Sequence, residues 1–122
     1  MTILGIGLDM VSVRRFEGKE FSKNMSFYLK IFTEKEIEYC RSKKQGAQHW
    51  AARFAGKEAV IKALADLGKG GLAFKDIEIL NDSGNVPRCK ISKGIKELKR
   101  IKIKISLTHE KDYAAAVAVV LL

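Results

Sequence analysis

Two carboxylates are the side chains best placed to do chemistry in this chain: Asp9 in "GIGLDM" and Glu58 in "ARFAGKEAVIK". Asp9 shares the odd positions of "TILGIGLDMVSV" with Gly5 and Gly7, while the even positions Leu4, Ile6, Leu8 and Met10 are large and apolar. That period-two pattern predicts a strand whose apolar face packs and whose other face is cleared around Asp9. Two readings of Asp9 stand side by side. One is a carboxylate that ends a strand and caps the next segment. The other is a hard oxygen ligand for Mg2+, an ion that takes one or two protein carboxylates and fills its shell with phosphates and water.

Glu58 would be the second carboxylate. With Lys62 it forms an i,i+4 pair, which on a solvated helix face contributes only about 0.2–0.5 kcal/mol. In the functional alternative Glu58 is a metal ligand, and Arg53, Lys57 and Lys62 hold phosphate oxygens, Arg bidentately and Lys as a point charge. Gly56 costs this helix about 1 kcal/mol relative to Ala, so close packing or a ligand's approach is expected there. A third group, "SLTHEKDYAAA", places Ser106, Thr108 and His109 at a strand end, where they could bind a phosphate or simply face water. No Ser-His-Asp arrangement is visible, so a protein nucleophile is not expected. The glycines of "GIGLDM" and "GKGG" complete neither dinucleotide nor mononucleotide fingerprints.

The elements that must position these residues are set by periodicity and turn chemistry. "AQHWAARFAGKEAVIKALADL" is Ala-rich, with Trp50, Phe54, Ile61 and Leu64 spaced for one buried stripe, and predicts a long central helix closed by "GKGG" at 68–71. Thr33 and Glu36 in "TEKEIEYCRSK" form a capping box that starts an earlier helix, and "SVRRFEGKEFSKNMSFYLKIF" predicts short helical or loop structure. "LAFKDIEIL" and "VPRCKIS" flank the turn signal "NDSGN" and predict a hairpin. "KGIKELKR" predicts a short helix. "IKIKISLT" alternates Ile and Leu with Lys, Ser and Thr, as a strand with one dry face, and "YAAAVAVVLL" returns from the turn "HEKD" as a strand apolar on both faces. Such a strand needs cover on both sides, which a symmetric oligomer could supply.

With 122 residues, 47% of them hydrophobic, a single domain over 1–122 with one modest core is expected. Lys and Arg number 23 against 14 Asp and Glu, a net charge of +9 that favours anionic partners: nucleic acid, phosphorylated cofactors or acidic proteins. Cys40 and Cys89 lack metal-ligand spacing and read as reduced thiols. "MTILGIGLDM" has no basic n-region and the longest apolar run is about half a membrane span, so no membrane association and a cytoplasmic location are expected.

Three segments in order, "GIGLDMVSVRR", "WAARFAGKEAVIKAL" and "ISLTHEKDYAAAVAV", resemble the holo-acyl carrier protein synthases, small 4'-phosphopantetheinyl transferases. With "LAFKDIEI" the likeness covers nearly the whole chain. It implies an α+β fold, an antiparallel sheet packed on a long central helix. It also implies transfer of the 4'-phosphopantetheine arm from coenzyme A to a serine of apo acyl carrier protein. By that likeness Asp9 and Glu58 bind Mg2+, Lys62 neutralises the coenzyme A pyrophosphate, and Lys44, Arg53 and His109 lie near its 3'-phosphate. Glu58, or a water held by the metal, is then the candidate base, and Arg14 and Arg15 meet the acidic helix of the carrier protein. A homotrimer with active sites shared between subunits is implied as well. One departure stands out: the family usually continues the central helix into F-G-T-G, and this chain reads "LADLGKGG". The alternative, a small basic nucleic-acid-binding domain, is opposed by the lack of a nucleic-acid motif and by carboxylates at the two most constrained positions.

Overall fold

The computed structural model describes residues 2–92 and 100–122. In chain order they form β1 (Ile3–Ser12), α1 (Arg14–Glu17), α2 (Met25–Ile31), α3 (Glu34–Arg41), α4 (Gly46–Ala65), β2 (Ile77–Asn81), β3 (Pro87–Ile91), β4 (Lys102–His109) and β5 (Tyr113–Leu121). The helix expected in "KGIKELKR" lies, apart from Arg100, outside the described residues. The strands make two antiparallel sheets, β1-β5-β4 and the hairpin β2-β3, and the long helix α4 packs against both. This is the α+β architecture expected.

The core is built around α4, and not through a single stripe. Trp50, Phe54, Val60 and Leu64 are buried, but so are Ala51, Ala52, Ala55, Ala59 and Ala63, whose small side chains let strands approach from several directions. Ile61, assigned to the stripe, is only half-buried. At one end Trp50 lies 4.5 Å from the Tyr28 ring and 4.7 Å from Phe32, ring centroid to centroid, which seats α2 on α4. Burying each such side chain contributes about 1.5–3 kcal/mol. The helix stops in a Schellman turn: Gly68 N–H donates to Ala65 O, Lys69 N–H to Leu64 O, and Gly68 takes φ +73°. The first glycine of "GKGG" is therefore spent on terminating the helix.

The faces of β1 are the reverse of those expected. Gly5 and Gly7 are buried and point at α4, while Ile6, Leu8 and Met10 are 60–67% exposed. A Cβ on Gly7 would collide with the carbonyl oxygen of Ala59, and one on Gly5 with that of Ala63. The glycines clear space for the backbone of a helix, and not for a cofactor. Gly56 serves the same purpose on another side of α4, where a Cβ would lie 2.6 Å from Ile79 Cδ1 and 3.1 Å from Ile105 Cδ1.

The capping box at α3 forms as expected, with Thr33 N–H donating to Glu36 Oε1 at 2.9 Å and Glu36 N–H to Thr33 Oγ1 at 3.3 Å. Glu36 also does more than cap. Fully buried, it accepts from Ile79 N–H at 2.8 Å and pairs with the fully buried Lys57 ammonium at 2.6 Å. Lys57 donates further to Phe74 O at 2.9 Å and Ile77 O at 2.5 Å, so all three of its protons are used. Burial pulls the Lys57 pKa below its ordinary value, against the opposing pull of Glu36. Lys57 is thus not one of the phosphate-holding cations, as its residue type and neighbours suggest; it ties α3, α4 and β2 together. Cys40 and Cys89 are free thiols whose pKa values burial pushes up to about 12, which leaves them unreactive.

Candidate active site

β1 lies along α4 in register. Gly5 meets the level of Ala63 and Gly7 that of Ala59. Two strand residues advance about 6.6 Å and four helix residues about 6 Å, which brings the next odd residue, Asp9, level with Ala55. Lys62 reaches back along this contact: its ammonium donates to Leu8 O at 3.0 Å and to Asp9 Oδ1 at 3.2 Å. Glu58, half-buried, sits one turn before Lys62 on the same flank of the helix. Asp9 and Lys62 therefore touch, and Glu58 shares their flank. The lysine at this half-exposed strand–helix seam can draw an anionic group, and carboxylates on the same flank can hold a cation that neutralises one. The Lys62–Asp9 pair contributes little stability of its own, because Lys62 keeps 53% of its side-chain exposure.

A second group forms elsewhere. Arg53 is buried, 2% exposed, with Nε donating to Ile79 O at 3.2 Å and the guanidinium 4.1 Å from the centroid of the Tyr39 ring. Among the described residues its Nη2, also buried, finds no hydrogen-bond acceptor. It lines a cavity of about 360 Å³ whose walls include Tyr39, Lys43, His49, Asn81 and His109. The Tyr39 hydroxyl accepts from Asn81 Nδ2 at 3.2 Å, which fixes the ring beneath Arg53. His49 and His109 meet edge to face with centroids 5.5 Å apart. Burial, then the positive charge of Arg53, His109 and Lys43, lowers the His49 pKa to about 4. A buried, under-satisfied guanidinium among lysine and imidazole can receive an anion.

Arg53 and His109 thus line one cavity. Lys44 does not join them; it lines a larger cavity of about 940 Å³ with Phe16, Lys19, Trp50 and Lys111. Nor does one copy of the chain bring the carboxylates to the anion cavity. Asp9 and His109 stand on β1 and β4, the two edges of the sheet, with β5 between them. Ser106 and Thr108 are exposed on β4. Arg14 and Arg15 are exposed on α1, with the Arg15 guanidinium 4.8 Å from the Phe54 ring centroid. Tyr39, Lys43, His49 and Asn81 belong to no motif in the sequence. They come from separate elements, and only the fold collects them.

The pattern of the 4'-phosphopantetheinyl transferase superfamily matches residues 5–118, and the chain belongs to that family. Within it, the likeness is to the holo-acyl-carrier-protein synthases. That of Geobacter sp. strain M21 is 42% identical over 121 residues, covering 96% of this chain and 97% of the relative. That of Thermodesulfovibrio yellowstonii is 44% identical over 118 residues, covering 97% and 98%. The crystal structure of the Helicobacter pylori synthase in complex with coenzyme A superposes with a TM-score of 0.79 at 35% identity, over 94% of this chain and 98% of that one.

Proposed function

We infer that this chain transfers the 4'-phosphopantetheine arm of coenzyme A to a serine of an apo acyl carrier protein and releases 3',5'-ADP. Its relatives' names and its full-length match to them support the reading. The single observation in the molecule that carries it is the division of α4 between two kinds of site. Lys62 contacts Asp9 on β1, with Glu58 one turn away on the same flank, and Arg53 opens on a cationic cavity. A pyrophosphate and a separate phosphomonoester are what such a pair of sites would hold.

Two carboxylates, with no cluster of three metal-ligating side chains among the described residues, fit Mg2+, because this ion keeps water and substrate phosphates in its shell. Asp9 and Glu58 would hold it, and when bound it would offset charge developing on the pyrophosphate. Lys62 would neutralise the same oxygens. The carrier serine Oγ attacks the phosphorus that bears the pantetheine, the bond from that phosphorus to the 3',5'-ADP oxygen breaks, and the serine proton passes to Glu58 directly or through a water. Positioning and charge neutralisation do the chemistry, so no protein nucleophile is needed.

The exposed apolar face of β1, with Ile6, Leu8 and Met10, supports a homotrimer in which neighbouring copies cover one another. Contact between copies would also let the carboxylates of one subunit work with the Arg53 and His109 cavity of the next. Location in the cytoplasm and service to fatty acid synthesis belong to the same reading.

The test is incubation with coenzyme A, Mg2+ and apo acyl carrier protein. The carrier is expected to gain the mass of the arm, and light scattering is expected to give three times the chain's mass. No mass gain with several carriers would remove the assignment. Arg14 and Arg15 are proposed to meet the acidic carrier. Arg15→Glu should raise the KM for carrier about tenfold or more, and the loss should shrink with added salt. An equal rise in the KM for coenzyme A would refute that division of labour.

A further inference from the structure

His49 lines the anion cavity among cationic side chains. Its ring is half-buried, edge-on to Tyr39 at 5.6 Å and to His109 at 5.5 Å, on the helix that also carries Arg53. Among the described residues the groups facing it are Tyr39 on α3, Lys43 just after it, Arg53 on α4 and His109 on β4; the hairpin contributes the neutral amides of Asn81 and Asn85 and the ring of Pro87. Each charged neighbour is a cation, so a proton on His49 would add one more positive charge to a partly desolvated space. Without a ligand the ring therefore stays neutral at physiological pH, in line with its depressed pKa of about 4. A phosphomonoester dianion would reverse the sign of the field in that space. Arg53 Nη2, buried and without an acceptor among the described residues, marks where such an oxygen would be drawn.

We propose that His49 is a specificity residue of this cavity, taking up a proton as a phosphomonoester binds and so adding a charged hydrogen bond only when the phosphate is present. This rests on the assignment of the cavity to the 3'-phosphate of coenzyme A. A ligand without that phosphate leaves His49 neutral and gains nothing from it. Discrimination in favour of the phosphorylated ligand then grows as pH falls from 8 toward about 6, where the phosphate itself begins to protonate. A fixed cation such as Arg53 gives no such slope.

The experiment is calorimetric titration of the full-length protein with 3',5'-ADP and with 5'-AMP at about pH 6.5, in buffers of differing ionisation enthalpy. Wild type is expected to take up about half a proton more with 3',5'-ADP than with 5'-AMP. His49→Phe, which keeps the aromatic contacts, and His49→Gln, which keeps a hydrogen-bonding group, should each remove that difference and weaken 3',5'-ADP about twofold at this pH, as uptake of half a proton requires. Both variants should bind 5'-AMP as wild type does, which also reports that they are folded. Equal proton uptake in wild type and variants overturns the role of His49 while leaving the cavity assignment intact. Failure of 3',5'-ADP to bind wild type any better than 5'-AMP overturns the cavity assignment, and this proposal with it.

Discussion

Replacing Glu58 by Ala is expected to lower the transfer rate about a thousand-fold or more while leaving the thermal midpoint nearly unchanged. Glu58 is half-buried, one turn before Lys62 on the same flank of α4, and is absent from the buried core. Removing it should therefore cost function and little stability. The magnitude follows from its proposed place beside the reacting phosphorus: loss of one preorganised charge-stabilising group costs about two to three powers of ten, and loss of a proposed metal ligand would add to that. Glu58→Gln preserves shape and removes charge, so it should fall nearly as far. Asp9→Ala should behave alike, with the added release of Lys62 from its 3.2 Å contact. Rates within tenfold of wild type, measured by mass spectrometry of the carrier, would show that these carboxylates are not the catalytic pair.

Lys57→Met should produce the opposite pattern, a large loss of stability with activity lost only as the fold is lost. The substitution would strand the fully buried Glu36 carboxylate, at a cost of about 3–5 kcal/mol, and would also leave the carbonyls of Phe74 and Ile77 without their donor. Pairing it with Glu36→Leu removes the stranded charge but orphans the Ile79 and Thr33 amides. The double variant should then recover only part of the loss. Urea unfolding decides the matter: a cost under about 1 kcal/mol for Lys57→Met would mean that the pair is not a structural tie.

These two variants mark what the sequence makes legible and what it hides. Glu58 and Lys57 are adjacent in "GKEA", and residue type alone puts both on a chemical face. The difference arises because α4 is buried on most sides, and position 57 turns toward Glu36, which is contributed by another helix. The capping box announces Thr33 and Glu36 correctly because it is local, closed within four residues. Its second use, as a partner for Lys57 and Ile79, needs residues more than twenty positions away. The long helix, the hairpin and β4 are readable for the same reason, since their patterns repeat within each segment. β1 misleads because large side chains usually mark the inward face, whereas here a helix backbone approaches so closely that only glycine fits. The anion cavity is half visible, through Arg53 and His109. Tyr39 and His49 carry no motif and become meaningful only when α3, α4 and β4 are seen together.

The pairing of β1 with β5 also bears on how the protein acquires its shape. Ile3 lies opposite Leu121, and Leu122 N–H donates to Thr2 O, so β1 gains its sheet partner only once β5, far along the sequence, has been made. Contacts so distant in sequence impose a large loop-closure cost and slow the search for the native state. While it waits, a strand carrying Ile6, Leu8 and Met10 offers an unpaired, apolar ribbon to any neighbouring chain. The yield of folded protein should therefore depend on chain concentration and on chaperone supply during synthesis, well before any question of catalysis arises.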